Sequence, residues 1–184
     1  MKKNKNSTEY LILVLGLALF ILSFFFYDGK INYFFSTEKN PAISLFLSFI
    51  TNFGIVLVIF VLIPLTMLFN KKKKSEAYLI LKSALVSFII CTIIKFIFQR
   101  HRPMDSNYYS LSMAINYSFP SMHTMVVFAA LPLLVKNFPR QRHVWIALAF
   151  IVAFSRIYFG VHYASDVLFG AVAGYSIGLL FARD

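Results

Sequence analysis

The sequence has 184 residues, 59% of them hydrophobic and 18% aromatic, with only 14% charged and a mean hydropathy of +0.74. That is too apolar for a soluble domain of this length, and the apolar residues come in long runs, which excludes the soluble globular class. The formal net charge of +11 does not indicate a nucleic-acid partner, because the cations sit between the apolar runs as topology signals do.

Met1 to Glu9 is short, polar and basic. Tyr10 to Tyr27 is the first apolar run; it ends Phe24-Phe25-Phe26-Tyr27 with no small-residue cleavage site, so an uncleaved span is expected. Asp28 to Pro41 reads as a loop with a short interfacial helix around Ile31, Tyr33, Phe34 and Phe35. Ile43 to Phe69 is a second span, with Asn52, Gly54 and Pro64 as points of close packing or kinking. Lys71 to Lys74 is a basic block that anchors topology at anionic head groups. Ala77 to Phe98 is the third span and contains the single cysteine, Cys91, read as a small core residue; no intramolecular disulfide exists. Gln99 to Phe119 is a polar loop whose Arg100, Tyr108 and Tyr109 either shape a head-group pocket or are simply solvated. Spans over 120–135, 144–159 and 163–181 follow, with a basic loop at 136–143. The expected fold is all-α: one integral membrane domain over 1–184, a six-transmembrane-helix bundle.

An even number of spans puts both termini on one side. The N-terminus, the loops at 71–76 and 136–143, and the C-terminus carry Lys2, Lys3, Lys5, Lys71 to Lys74, Lys136, Arg140, Arg142 and Arg183. The opposite loops carry Lys30 and Lys39, apart from the cations considered next. The positive-inside rule then predicts cytoplasmic termini, and an extracytoplasmic position for Lys95, the 99–119 loop, Pro120 and the 156–166 stretch.

Three clusters gather on that predicted face. Ser155 to Asp166 packs Arg156, His162 and Asp166 into one stretch. If a helix after Gly160 holds both His162 and Asp166, their four-residue spacing places them on one face. A carboxylate there fixes one ring tautomer and leaves the other nitrogen a free lone pair, half of a nucleophilic site. Taken alone, the stretch fits equally a snorkelling arginine beside a structural His–Asp hydrogen bond. Lys95 to Pro103 places Arg102 seven residues after Lys95, two turns on and one face if the helix continues, with Pro103 as its stop. That is an anion clamp, or a lysine that snorkels to the interface. Pro120-Ser121-Met122-His123 reads as a helix start, with unpaired N–H groups and a positive dipole end suited to phosphate. A Ser N-cap with an interfacial histidine fits it as well. Together, three permanent cations around two histidines and one carboxylate suit a phosphoryl group and suit a metal poorly, so neither a metal nor another cofactor is expected.

The clusters resemble the three signature motifs of the type-2 phosphatidic acid phosphatase (PAP2) superfamily, which also includes soluble vanadium haloperoxidases. The first motif, Lys, six residues, Arg-Pro, matches Lys95 to Pro103. The second, Pro-Ser-Gly-His, matches Pro120 to His123 with Met122 in place of glycine. The third, Ser-Arg, five residues, His, three residues, Asp, matches Ser155 to Asp166 with every spacing kept. Glycine would let the backbone approach phosphate closely. Methionine can do so only in helical conformation, with its side chain turned away from the anion, toward lipid or the substrate's acyl chain.

The resemblance implies catalysis by His162, Asp166 and His123. His162 attacks phosphorus, Asp166 orients it, and His123 protonates the leaving oxygen and then activates water. It implies phosphate binding by Lys95, Arg102, Ser121 and Arg156. The implied activity is that of a metal-independent lipid phosphatase in the plasma membrane of a bacterium or archaeon, with a lipid phosphate or pyrophosphate entering from the bilayer. Candidate substrates are undecaprenyl pyrophosphate, phosphatidylglycerol phosphate, phosphatidic acid and a lipid of the lipid A type. Alternatives are a lipid phosphotransferase with the same intermediate, and a non-enzymatic anionic-lipid transporter in which His162 is dispensable. A haloperoxidase would need a soluble fold, which the apolar runs exclude.

Overall fold

The structure, a computed structural model, describes residues 2–37, 39–103 and 117–183. Every element among them is helical. The first apolar run does not end at Tyr27. α1 (Lys2–Leu22) passes through a π-helical turn (Ser23–Tyr27) into α2 (Asp28–Thr37). The Asp28 N–H bonds back to the Ser23 carbonyl, and the Ser23 hydroxyl donates to Asp28 Oδ1 at 2.9 Å. This wide turn lets a carboxylate sit inside an apolar rod without breaking it. The stretch expected as a loop with a short interfacial helix is thus helical through Thr37 and continuous with the first span.

The second predicted span is divided. α3 (Pro41–Ile50) starts on Asn40, whose side chain accepts the Ala42 and Ile43 N–H groups. It ends at Thr51, and Asn52 caps α4 (Phe53–Leu57) by accepting from the Gly54 N–H at 3.0 Å. An asparagine at that position satisfies a new helix start better than it continues an old one. A second π-helical turn (Val58–Leu62) leads to α5 (Ile63–Asn70). Pro64 has no N–H to return to the preceding turn, and the hydrogen-bond register widens just before it.

α6 (Lys74–Phe98) stops at Gln99, which turns left-handed at φ 46° and gives its N–H to the Lys95 carbonyl. It stops there, well before Pro103, so Arg102 does not continue the face of Lys95. α7 (Met122–Asn137) follows a cis Phe119-Pro120 bond with Ser121 as N-cap; Pro120 thus lies before the helix rather than starting it. α8 (Arg142–Tyr158) and α9 (Ala164–Ala182) complete the chain.

α7 is the centre of the molecule. Met125, Val127, Ala129, Ala130, Leu133 and Leu134 have no exposed surface. A helix apolar on every side belongs in the middle of a bundle, and α6, α8 and α9 pack around it. Its closest neighbour is α9, for a reason visible in the residues. Gly170, Gly174 and Gly178 recur every fourth position and present bare backbone to α7. A Cβ would lie 2.9 Å from the Ser121 carbonyl oxygen, 2.2 Å from that of Met125 and 2.3 Å from that of Ala129, respectively. Small residues at this spacing let two helices touch backbone to backbone.

By length and composition, four segments among the described residues can cross a membrane: Glu9–Phe35, Phe53–Asn70, Lys74–Phe98 and Ala164–Ala182. α7 and α8, expected as the fourth and fifth spans, have 16 and 17 residues and fall short of the ~20 a spanning helix needs. One end of the bundle collects the basic loops. There Lys136 pairs with Glu76 at 3.3 Å and donates to the Ala182 carbonyl at 3.1 Å, and Arg183 approaches Glu9 at 3.7 Å. The motif residues lie at the other end.

Candidate active site

Four helix ends converge on the site: the C-termini of α6 and α8 and the N-termini of α7 and α9. Lys95, in the last turn of α6, is 1% exposed. Its ammonium donates to the carbonyls of Tyr117 and Ser118, the latter at 3.4 Å. It is buried and partnered, not snorkelling. Arg102 donates to the Val161 carbonyl at 2.9 Å. It reaches the site from a turn, while Lys95 comes from a helix.

Arg156, in the last turn of α8, donates to the Thr51 hydroxyl at 2.8 Å and approaches His123 Nε2 at 3.3 Å. Arginine can only donate, so His123 accepts through Nε2 and keeps its proton on Nδ1 in this arrangement. Phe53 meets the His123 ring edge-on at 4.8 Å. Ser121 makes no side-chain cap to α7; its hydroxyl accepts from Thr124 at 3.1 Å, and its N–H donates to the Asp166 carbonyl at 3.1 Å. The first turn of α7 thus keeps its backbone donors free of a side-chain cap, the usual seat for an anion. Met122 is helical, as the motif requires, but its side chain is buried in the apolar core rather than turned to lipid.

His162 and Asp166 come together in a different way from the one expected. α8 ends at Tyr158 and the chain turns through Gly160 at φ 67°. His162 lies in this turn, ahead of α9, and Asp166 is in the first turn of α9. One helix does not carry both. Asp166 reaches back to accept the Tyr163 N–H at 2.9 Å, a capping interaction, and this leaves it 3.8 Å from His162 Nδ1. That is an ion-pair distance, longer than a hydrogen bond.

Ser118 fills the gap. Its hydroxyl donates to Asp166 Oδ2 at 2.5 Å and lies 3.4 Å from His162 Nδ1. A hydroxyl has one proton. Given to Asp166, it leaves only a lone pair for the imidazole, so His162 holds its proton on Nδ1 and a lone pair on Nε2. Burial is the main influence that pushes the His162 imidazole down to about 3; the Asp166 carboxylate pulls the other way, and Lys95 and Arg102 push with burial. Burial and the neighbouring cations together favour the neutral ring.

All seven motif residues therefore meet. His123 lies within electrostatic reach of Arg156, His162, Arg102 and Lys95. Among the described residues, no three His, Cys, Asp or Glu side chains gather as a metal-ligand set. Tyr108 and Tyr109 lie outside the described residues. Arg100 is not a solvated loop residue. It donates to Asp166 Oδ1 at 2.6 Å and to Asp28 Oδ2 at 2.8 Å.

The signature spacings thus have a common spatial origin, and residues 76–184 match the PAP2 superfamily. The chain belongs to the PAP2 superfamily. It is 35% identical over 115 residues to the putative undecaprenyl-diphosphatase YbjG of Escherichia coli, covering 59% of this chain and 58% of that protein. The chain therefore spans less than two-thirds of that relative's length. It is 28% identical to the undecaprenyl-diphosphatase BcrC of Bacillus subtilis, over 80% of this chain and 77% of that one. In fold it resembles the crystal structure of the transmembrane PAP2 type phosphatidylglycerolphosphate phosphatase from Bacillus subtilis: TM-score 0.72, 25% identity, 95% of this chain and 92% of that one. Aquifex aeolicus LpxE shares the fold at TM-score 0.72 and 22% identity, over 89% of this chain and 99% of that one. This PAP2 member is an integral membrane protein.

Sequence reasoning missed Ser118, Asp28 and the glycine seam. Asp28 carried a signal: it is the one charge between Tyr10 and Gly29 in an apolar stretch, and such charges face polar partners. Gly170, Gly174 and Gly178 carried another in their spacing.

Proposed function

We propose that this PAP2 protein is a membrane lipid phosphatase that cleaves a phosphomonoester or pyrophosphate through a phosphohistidine on His162. The observation that carries the reading is the buried His162, with Nδ1 facing Ser118 and Asp166, within reach of Lys95 and Arg102. Nε2 is then the nucleophile. Its lone pair forms the P–N bond as the bond from phosphorus to the leaving oxygen breaks.

His123 supplies the proton that the leaving oxygen takes up. In the resting site its Nε2 faces Arg156. A bound phosphate draws that guanidinium onto its oxygens and frees Nε2 to carry a proton. In the second step His123 accepts a proton from water, the water oxygen bonds to phosphorus, the P–N bond breaks and inorganic phosphate leaves. Lys95, Arg102, Arg156 and the first turn of α7 hold the non-bridging oxygens. These groups need no metal.

Undecaprenyl pyrophosphate leads the substrate candidates, since relatives from E. coli and B. subtilis are named for it. The helical bundle is taken to lie in the plasma membrane with its basic end cytoplasmic and the site outward. The 16-residue α7 is about 24 Å long against a ~30 Å hydrocarbon core. With its basic end at one boundary, its N-terminus sits a few ångströms below the other. A phosphate at the head of a lipid reaches that depth without leaving the bilayer.

The test is phosphate release in detergent from a panel of the four lipid classes, with EDTA present, for wild type and His162→Ala. Release that survives EDTA and is lost in the variant is expected. Release abolished by EDTA would overturn the metal-free mechanism. A trapped phosphohistidine without phosphate release would point to transfer.

A further inference from the structure

Behind the site lies a group of charges that the signature motifs do not include. Asp28 is 5% exposed and Asp166 has no exposed surface. The Arg100 fork spans both, with one nitrogen on Asp166 Oδ1 at 2.6 Å and the Ser165 hydroxyl at 2.7 Å, and the other on Asp28 Oδ2 at 2.8 Å. Asp28 also accepts from the Ser165 N–H at 2.9 Å, the Ser165 hydroxyl at 2.5 Å and the Ser23 hydroxyl at 2.9 Å. The guanidinium lies 3.9 Å from the centre of the Tyr163 ring and 5.0 Å from that of Phe24. The Arg100 carbonyl accepts the Ser118 N–H at 2.7 Å, which ties Arg100 to the residue bridging Asp166 and His162.

Each oxygen of Asp166 thus has an assigned partner: Oδ1 meets Arg100, and Oδ2 meets Ser118 and the Tyr163 N–H. A carboxylate so filled cannot rotate. Without Arg100, Oδ1 would lose its partner and two buried carboxylates would share no cation.

We propose that Arg100 and Asp28 are positioning residues of this phosphatase, which hold Asp166 so that Ser118 fixes the tautomer and direction of His162. Arg100 itself does not touch substrate. Lysine cannot replace it, because one ammonium cannot bridge both carboxylates in a planar fork. The arrangement also joins α2 to the N-terminus of α9, so the first membrane segment contributes to the site.

The inference rests on the phosphatase reading for its kinetic test, and a spectroscopic test stands apart from it. The groups facing His162 are Lys95 from α6, Arg102 from the turn after it, His123 from α7 and Asp166 from α9, with Ser118 between; Arg156 of α8 faces His123. Arg100→Gln, Arg100→Lys and Asp28→Asn/Arg100→Gln are compared with wild type. The double variant removes the orphaned Asp28 carboxylate and serves where the single one does not fold. The readouts are kcat, KM and the 15N NMR titration of His162 in protein labelled at histidine.

The expected result is a kcat about 10- to 100-fold lower with KM within about twofold. His162 should also protonate at a higher pH, since Asp166 no longer shares its charge with a guanidinium. Lysine should not restore kcat. A raised KM with unchanged kcat would make Arg100 a substrate ligand and overturn the proposal. A lower melting temperature alone, with kcat and the titration unmoved, would reduce it to a structural ion pair. If wild type releases no phosphate from any lipid, the phosphatase reading fails, and the His162 titration still decides the positioning role.

Discussion

Gly174→Ala tests whether the seam between α7 and α9 sets the catalytic geometry. The added Cβ would lie 2.2 Å from the Met125 carbonyl oxygen and 3.0 Å from its carbon. These are backbone atoms of the central helix and cannot rotate away. Restoring an ordinary contact near 3.4 Å requires α9 to withdraw by about 1.2 Å. Overpacking of this kind costs about 1–3 kcal/mol, or about 2–4 °C of melting temperature per kcal/mol for a chain of this size. The kinetic effect is larger. Asp166 begins α9 and His162 precedes it, whereas Ser121 and His123 begin α7. A shift between the helices separates the nucleophile from the general acid, and a misplacement of about 1 Å costs about 100-fold. Phosphate release by Gly174→Ala in detergent is therefore expected to fall about 100-fold in kcat, with a loss of several degrees in thermal unfolding. Gly29→Ala is the control: nothing lies within 4 Å of its Cβ, and α2 gains about 0.5–1 kcal/mol. A folded Gly174→Ala protein with wild-type kcat would refute the argument.

Lys95→Met should lower kcat/KM about 100- to 1,000-fold if its ammonium turns from the Tyr117 and Ser118 carbonyls to the transition state; steady-state kinetics with unchanged kcat/KM would make it a brace for residues 117–118 only. The His162 imidazole is held down to about 3 against about 6.5 in an unfolded chain. The unfolded state therefore binds the extra proton first, so stability is full above about pH 6.5 and declines by up to about 1.4 kcal/mol per unit as pH falls toward 3. Thermal unfolding from pH 7 to 5 should show this decline in wild type and a smaller one in His162→Gln; equal slopes would show that other groups cause it. Met122→Gly should leave kcat within about threefold but lower the melting temperature, because it empties a buried side chain 7% exposed at the start of α7, where glycine costs up to about 1 kcal/mol against a helix former.

What the sequence carried was chemistry and order along the chain. Lys95, Arg102, Ser121, His123, Arg156, His162 and Asp166 were all legible, because each is a polar group beside an apolar run, where it needs a partner or a purpose. What it did not carry was the route by which they meet. Periodicity extends a helix through any run of compatible residues, so it joined Lys95 to Arg102 and His162 to Asp166. The left-handed Gln99 and the turn at Gly160 break both helices, and long-range packing brings the same residues together. The division at Thr51–Asn52 was half legible: asparagine was visible as a weak point, but whether it kinks or caps depends on Arg156 reaching Thr51 from α8. A short helix after Asp28 was legible in Ile31, Tyr33, Phe34 and Phe35, but not its continuity with the first span, because Asp28 is held there by Arg100 and Ser165, over seventy residues away.

The convergence of helix ends also leaves one of those ends uncompensated in charge. Antiparallel neighbours bring two N-termini and two C-termini to one end, and their dipoles oppose one another. Lys95 and Arg156 occupy the last turns of α6 and α8, where a cation offsets the partial negative charge of a C-terminus. Asp166 occupies the first turn of α9 and offsets its positive end. Of the two N-termini at this end, that of α7 has neither an acidic residue in its first turn nor a side-chain cap. Three of the four ends are locally balanced, and the start of α7 keeps its positive character. If a phosphate binds there as proposed, it has His123 in the same helical turn, with His162 near enough for its charge to be felt at His123, and in-line transfer then requires the two to act on opposite sides of phosphorus.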